Sequence, residues 1–109
     1  MIFIVVKWTV RPESASRWLD IVDDFTQATR AEDGCLFFEW GRSVDVDNVF
    51  TLVEAFEDSD AGARHVQSEH FRTATAMLGD HVASTPQIVN FETPQHGWGE
   101  MGEVTPTSA

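Results

Sequence analysis

The chain has one cysteine, no tyrosine, seven basic residues and no long apolar run, and each shortage closes off a class of protein. A lone Cys35 can form neither an intramolecular disulfide nor a cysteine metal cluster; a reducing compartment fits, and a cytoplasmic location is expected. With no tyrosine, the eight Phe and four Trp lack the phenol that usually serves as a polar handle, so bulk packing is their first reading. Eighteen acidic residues against seven basic ones give a formal charge of -11, spread along the chain. That field repels nucleic acid and anionic membranes, and neither is expected as a partner. No stretch approaches the roughly 20 apolar residues that span a bilayer. The opening Met1 to Val6 lacks a basic leader and a small-residue cleavage site, so it reads as a strand and not as a signal peptide.

At 109 residues the chain fits one domain, which buries only about two thirds of its unfolded surface and would gain from a partner chain. From Ile2 to Val10 the even positions are all apolar, the mark of a strand with one buried face. Pro12 ends it, and Ser14 is placed to cap a helix whose stripe is Ala15, Trp18, Leu19, Val22 and Phe25, with Ile21 at its edge. Glu32-Asp33-Gly34 stops that helix, with Gly34 suited to a left-handed turn. Cys35 to Val44 is a second strand with Leu36, Phe38 and Trp40 on one face and Phe37 and Glu39 on the other. The turn Asp45 to Asn48 joins it to a third strand, Val49 to Phe56. Acidic residues from Glu57 to Asp60 start a helical stretch that breaks near Gln67-Ser68 and resumes from Phe71, with Ala74, Leu78 and Val82 inward, until Pro86. Gln87 to Phe91 is a fourth strand. Pro94, Gly97, Gly99, Gly102 and Pro106 mark a tail, so the domain is placed at residues 1–92 and the tail, loose or packed on a dimer, at 93–109.

The order βαββαβ is that of an α+β, ferredoxin-like domain with a four-stranded antiparallel sheet. One helical layer covers only one face of such a sheet. The other carries Phe3, Val5 and Phe37, an apolar patch that soluble monomers avoid. A homodimer joined through the sheet faces is therefore expected, the alternative being a single chain whose tail folds over that face.

The run His65-Val66-Gln67-Ser68-Glu69-His70-Phe71 completes an ordered set. The other pieces are the Pro12-Glu13 end of the first strand, the Glu32-Asp33-Gly34-Cys35 approach to the second, and Phe50 to Asp58 along the third. The set covers roughly Ile2 to Glu92 and resembles the antibiotic biosynthesis monooxygenase family, the quinol-monooxygenase-like dimeric α/β barrels. The resemblance implies a pocket between sheet and helices and oxidation of a quinol, anthrone or similar aromatic phenol by O2, with no metal, flavin or haem. A base removes a phenolic proton, and the resulting anion is electron-rich enough to reduce O2 by itself in a dry aromatic cavity. The haem-degrading relatives of the fold carry an Asn on the first strand and a His later in the second helical region. Lys7, Thr9 and Thr75 stand near those places here, so haem is not expected.

The candidate catalytic residues are His70, His65 and Glu54. Imidazole titrates near neutrality, and His70 matches the family's Ser-x-His-Phe histidine, which makes it the first choice for the base. His65 also matches a family position. Five residues apart, the two share no face of an unbroken helix, so the break near Ser68 decides whether both point inward. Glu54 shares strand parity with Phe50, Leu52 and Phe56, an apolar setting in which a carboxylate needs a partner or a raised pKa. Proton relay is one role for it, and a structural bond to Arg42 or Arg72 the other. Trp40, Phe38, Phe56, Trp8 and Phe71 are the candidate substrate-binding aromatics. His65, His70, His81 and His96 form no recognised metal spacing, and no metal is expected. Two other activities suit the same fold: keto-enol isomerisation of a small (phospho)carbonyl compound, and non-catalytic ligand binding by a stress-response dimer.

Overall fold

Residues 1–108 are described by a computed structural model. The strands are β1 (Ile2–Thr9), β2 (Cys35–Arg42), β3 (Val49–Phe56) and β4 (Gln87–Glu92), in the order β2-β3-β1-β4 with every pairing antiparallel. The helices are α1 (Trp18–Ile21), α2 (Asp23–Arg30), α3 (Ser59–Gln67) and α4 (Glu69–Leu78). This is the ferredoxin-like α+β arrangement that the element order implies.

Register decides which side chains meet the helices. Ile4 pairs with Glu54, Val6 with Leu52 and Trp8 with Phe50 across β1 and β3, while Phe38 pairs with Glu54 and Trp40 with Leu52 across β2 and β3. Because side chains alternate along a strand, these residues share the helix-facing side. A register shift between Cys35 and Phe37 takes Leu36 out of the alternation that would have aligned it with Phe38 and Trp40. Trp18, Phe38, Phe50, Phe56, Leu52, Val10 and Val22 are fully buried. The Trp18 ring lies 5.4 Å from Trp8 and 5.8 Å, edge-on, from Trp40.

The first helical region departs from the sequence reading. Pro12–Arg17 is a 3-10 turn with Arg11 at its cap position, and the helix interrupts again at Val22. Ser14 is buried and caps nothing; its hydroxyl is 2.9 Å from Nδ1 of His81. The interruption rotates the apolar stripe, so Ile21 packs on the core while Leu19 is 54% exposed. Gly34 is not left-handed; among the described residues only Gly97 has a positive φ. What Gly34 lacks is room, since a Cβ there would fall 2.2 Å from the Cβ of Ala61. The helix α4 ends at Leu78, well before Pro86. The chain beyond it instead bonds back to the end of β1 through a Val10–Val82 bridge and the Ala83 N–H on the Thr9 carbonyl.

On the face away from the helices, Phe3 meets Phe37 and Phe91 at 6.1 and 5.6 Å, and Trp98 of the tail lies 4.9 Å from Phe37. The tail is tied at its start, where the Met1 ammonium donates to the Thr93 carbonyl at 2.7 Å. It covers one end of the face only, leaving Val89 and Phe91 more than half exposed. No helix among the described residues is long and apolar enough to cross a membrane.

Candidate active site

A cavity of about 270 Å³ lies between the sheet and the helices. Ile4, Val6, Trp8, Leu52 and Glu54 form its sheet side, Phe25, His65, Val66, Phe71, Thr75 and Leu78 its helical side, and Pro86 and Ile88 complete it. Glu54 and His65 are the only titratable groups in that lining. A second hollow of about 470 Å³ opens on the outer surface between α2 and α4, lined among others by Asp24, Phe25, Glu69 and His70. It is a wide surface groove, whereas the first is deeper and more apolar, though open past Val66 and Ile88, and is the better place for a small aromatic molecule to leave water.

Glu54 is the sixth of the eight residues of β3 and is 4% exposed. Burial, and next the negative charge of Glu32, push its carboxyl from 4.5 up to about 7. Neither Arg42 nor Arg72 reaches it, contrary to the salt bridge considered from the sequence. Arg42 lies over the Phe50 ring at 5.2 Å and donates to the Ala15 carbonyl, and Arg72 donates to the Gln67 carbonyl. Its facing group is His65, whose Nε2 is 3.9 Å from Glu54 Oε1, beyond direct hydrogen-bond reach.

The buried His65 comes from the last turn of α3, its ring stacked on Phe56 at 4.7 Å and edge-on to Phe71 at 5.1 Å. Its Nδ1 is 2.8 Å from Glu32 Oε2, and the same oxygen is 2.6 Å from His70 Nε2. Asp58 starts α3 by accepting from the Ala61 N–H at 2.8 Å. Ser68 both ends α3 and starts α4: its extended backbone breaks the helix, while its hydroxyl donates to the His65 carbonyl and accepts from the Phe71 N–H. Glu32 sits in the turn after α2, which the Gly34–Ala61 approach presses against α3.

The structure thus brings His65, His70 and Glu54 into one neighbourhood and adds Glu32, which the sequence reading treated as part of a helix stop and of the approach to the second strand but not as a site residue. Of the five aromatic candidates, Trp8 and Phe71 line the cavity. Phe38, Phe56 and Trp40 stand behind its wall, where Trp40 Nε1 donates to Thr26 Oγ1 at 2.9 Å. His70 lines the outer groove. The donor atoms of Glu32, His65 and His70 lie within 4.8 Å of one another, and two imidazoles with a carboxylate are a set able to hold a divalent transition ion. At 2.6 and 2.8 Å the shared oxygen stands at hydrogen-bond distance from both nitrogens. Cys35 is half-buried, and burial, with Glu32 and Glu54 nearby and Arg30 partly opposing, pushes its thiol up to about 11, which makes it a poor nucleophile.

Fold and site together define a ferredoxin-like α+β protein with a carboxyl and an imidazole side by side on the wall of a largely apolar cavity. The chain belongs to the antibiotic biosynthesis monooxygenase family, whose model matches residues 1–77. It is 28% identical over 86 residues to "Putative monooxygenase YcnE" of Bacillus subtilis (strain 168), covering 79% of this chain and 90% of that protein. A solved Deinococcus radiodurans structure described under the same family superposes with a TM-score of 0.81 at 22% identity, over 94% of this chain and 100% of that one. One from Caulobacter crescentus CB15 gives 0.80 at 25% identity, over 86% and 90%.

Proposed function

We propose that the chain is a cofactor-independent monooxygenase that oxidises a quinol, anthrone or similar hydroxyaromatic with O2 in the 270 Å³ cavity. The observation that carries this is the cavity itself: a largely apolar hollow, open on the side of Val66 and Ile88, whose titratable lining is one imidazole and one carboxyl raised to about 7. A neutral aromatic ring fits such a lining. A phosphorylated carbonyl compound does not, because no arginine or lysine lines it.

His65 Nε2, backed by Glu54, is the base that this geometry favours. For an anthrone, the base removes one ring-methylene proton, and the carbanion passes an electron to O2. The radical pair combines into a carbon–oxygen bond, and the peroxide takes the proton back from the imidazolium. Loss of the second C–H proton then breaks the O–O bond, leaving a ring carbonyl and, after protonation, water. The largely apolar lining limits the water that could protonate the carbanion first.

Pairing of two copies through the sheet faces belongs to the same reading. It would cover Val89 and Phe91, which lie on the face away from the helices. The activity is tested by following O2 consumption with a panel of hydroquinones and anthrones. Turnover that falls at least about tenfold in His65→Ala supports the assignment. Ligand binding without O2 uptake or proton exchange across the panel would identify a non-catalytic binding protein, and proton exchange alone an isomerase.

A further inference from the structure

Glu32 lines neither the cavity nor the groove, yet one of its oxygens meets two imidazoles that belong to different helices. We infer that Glu32 is the positioning residue of the site: its Oε2 fixes the proton of His65 on Nδ1 and that of His70 on Nε2, so that His65 turns an unprotonated Nε2 toward the cavity.

A carboxylate oxygen only accepts, so each ring nitrogen 2.6 or 2.8 Å from it must carry the hydrogen. A neutral imidazole has a single N–H. Its other nitrogen then holds a lone pair, and in His65 that nitrogen is Nε2, the one facing Glu54. Without the acceptor, His65 could move its proton to Nε2 and donate into the cavity, which would end its use as a base. Orientation of a base by a buried carboxylate is a general device of acid–base sites. Here one oxygen serves two rings, and the second, His70, helps hold it in place.

The neighbours support the placement. Around the cluster stand Glu54 from β3 and Cys35 from β2, with Arg30 and Arg64 close to the Glu32 turn. The rings of Phe25, Phe56 and Phe71 enclose His65, so it has little room to rotate away. The inference rests on His65 being the base for its consequence, and on geometry alone for the tautomer.

The test uses nitrogen-15 NMR of histidine-labelled protein at a pH where both rings are neutral, together with O2 uptake. Wild type should show His65 protonated on Nδ1 and His70 on Nε2. Glu32→Gln keeps an oxygen that can accept from both and should keep both tautomers, whereas Glu32→Leu should move the His65 proton toward Nε2. Turnover in Glu32→Leu should fall at least tenfold with KM changed less than threefold, and Glu32→Gln should recover most of it. A wild-type His65 protonated on Nε2 overturns the inference, as does a Glu32→Leu protein with unchanged tautomer and turnover. If the leucine variant does not fold, the wild-type tautomers still decide. Correct tautomers with no O2 uptake on any substrate would sink the oxygenase reading and leave the positioning role standing.

Discussion

Replacing Glu54 by Gln tests the central electrostatic claim without needing a substrate. The carboxyl is 4% exposed, has no cationic side chain bonded to it, and is raised from 4.5 to about 7 chiefly by burial. Between those two pH values the folded chain keeps a proton that the unfolded chain has released. Stability contributed by this group is therefore full below about pH 4.5 and lost as pH rises through about 7. The interval corresponds to about 3.5 kcal/mol at about 1.4 kcal/mol per pH unit. Gln has nearly the same shape and no charge to lose. Urea unfolding of wild type and Glu54→Gln at pH 5 and pH 8, at one protein concentration, isolates the effect, because the other titrating groups are common to both and largely cancel. Wild type should lose about 2.5 kcal/mol more than the variant on going from pH 5 to pH 8. Equal losses in the two proteins would mean that Glu54 ionises in the folded state as it does in water, and the reading of the cavity as a dry acid–base site would fall with it.

Gly34→Ala should destabilise by roughly 1–3 kcal/mol through its clash with Ala61, and adding Ala61→Gly should return part of that in thermal unfolding; an undisturbed single variant would refute the close approach. Asp58→Ala should cost about 1 kcal/mol by removing the cap of α3, read from denaturant midpoints; no loss would mean that the Ala61 N–H is equally well served by water. Phe91→Glu places a charge on a side chain already 56% exposed in one chain. It should leave the helical circular dichroism intact while light scattering reports single chains where wild type reports pairs, and a variant that still pairs would place the contact elsewhere.

The alternation of Ile4, Val6 and Trp8 in β1, and of Phe50, Leu52 and Glu54 in β3, made the sheet and its buried face legible, because period-two patterning carries that information directly. The first helical region was less so. Trp18, Val22 and Phe25 keep helical spacing, but the 3-10 turn and the interruption at Val22 shift phase between them. Nothing in Ser14 or Leu19 announces that one is buried against His81 and the other exposed. Gly34 was read for the wrong property, since close packing and left-handedness both select glycine and leave the same letter. Glu32 was missed as a site residue because the two imidazoles it meets are 33 and 38 positions away, and only the tertiary fold brings them together.

The break at Ser68 is where local sequence and site geometry join. On a continuous helix, residues five apart are separated by about 140° around the axis, so His65 and His70 would look in different directions. Ser68 takes an extended conformation, and its hydroxyl replaces bonds lost on both sides by donating to the His65 carbonyl at 2.6 Å and accepting from the Phe71 N–H at 3.2 Å. The interruption therefore costs little in unpaired backbone, and it lets rings from two helices converge on a single oxygen. Ser68→Ala would withdraw that compensation, by about 1 kcal/mol for the lost cap, without removing either histidine. The His65 and His70 ring signals should then lose their common dependence on Glu32. If they do not, the backbone turn alone holds the convergence and the hydroxyl is incidental.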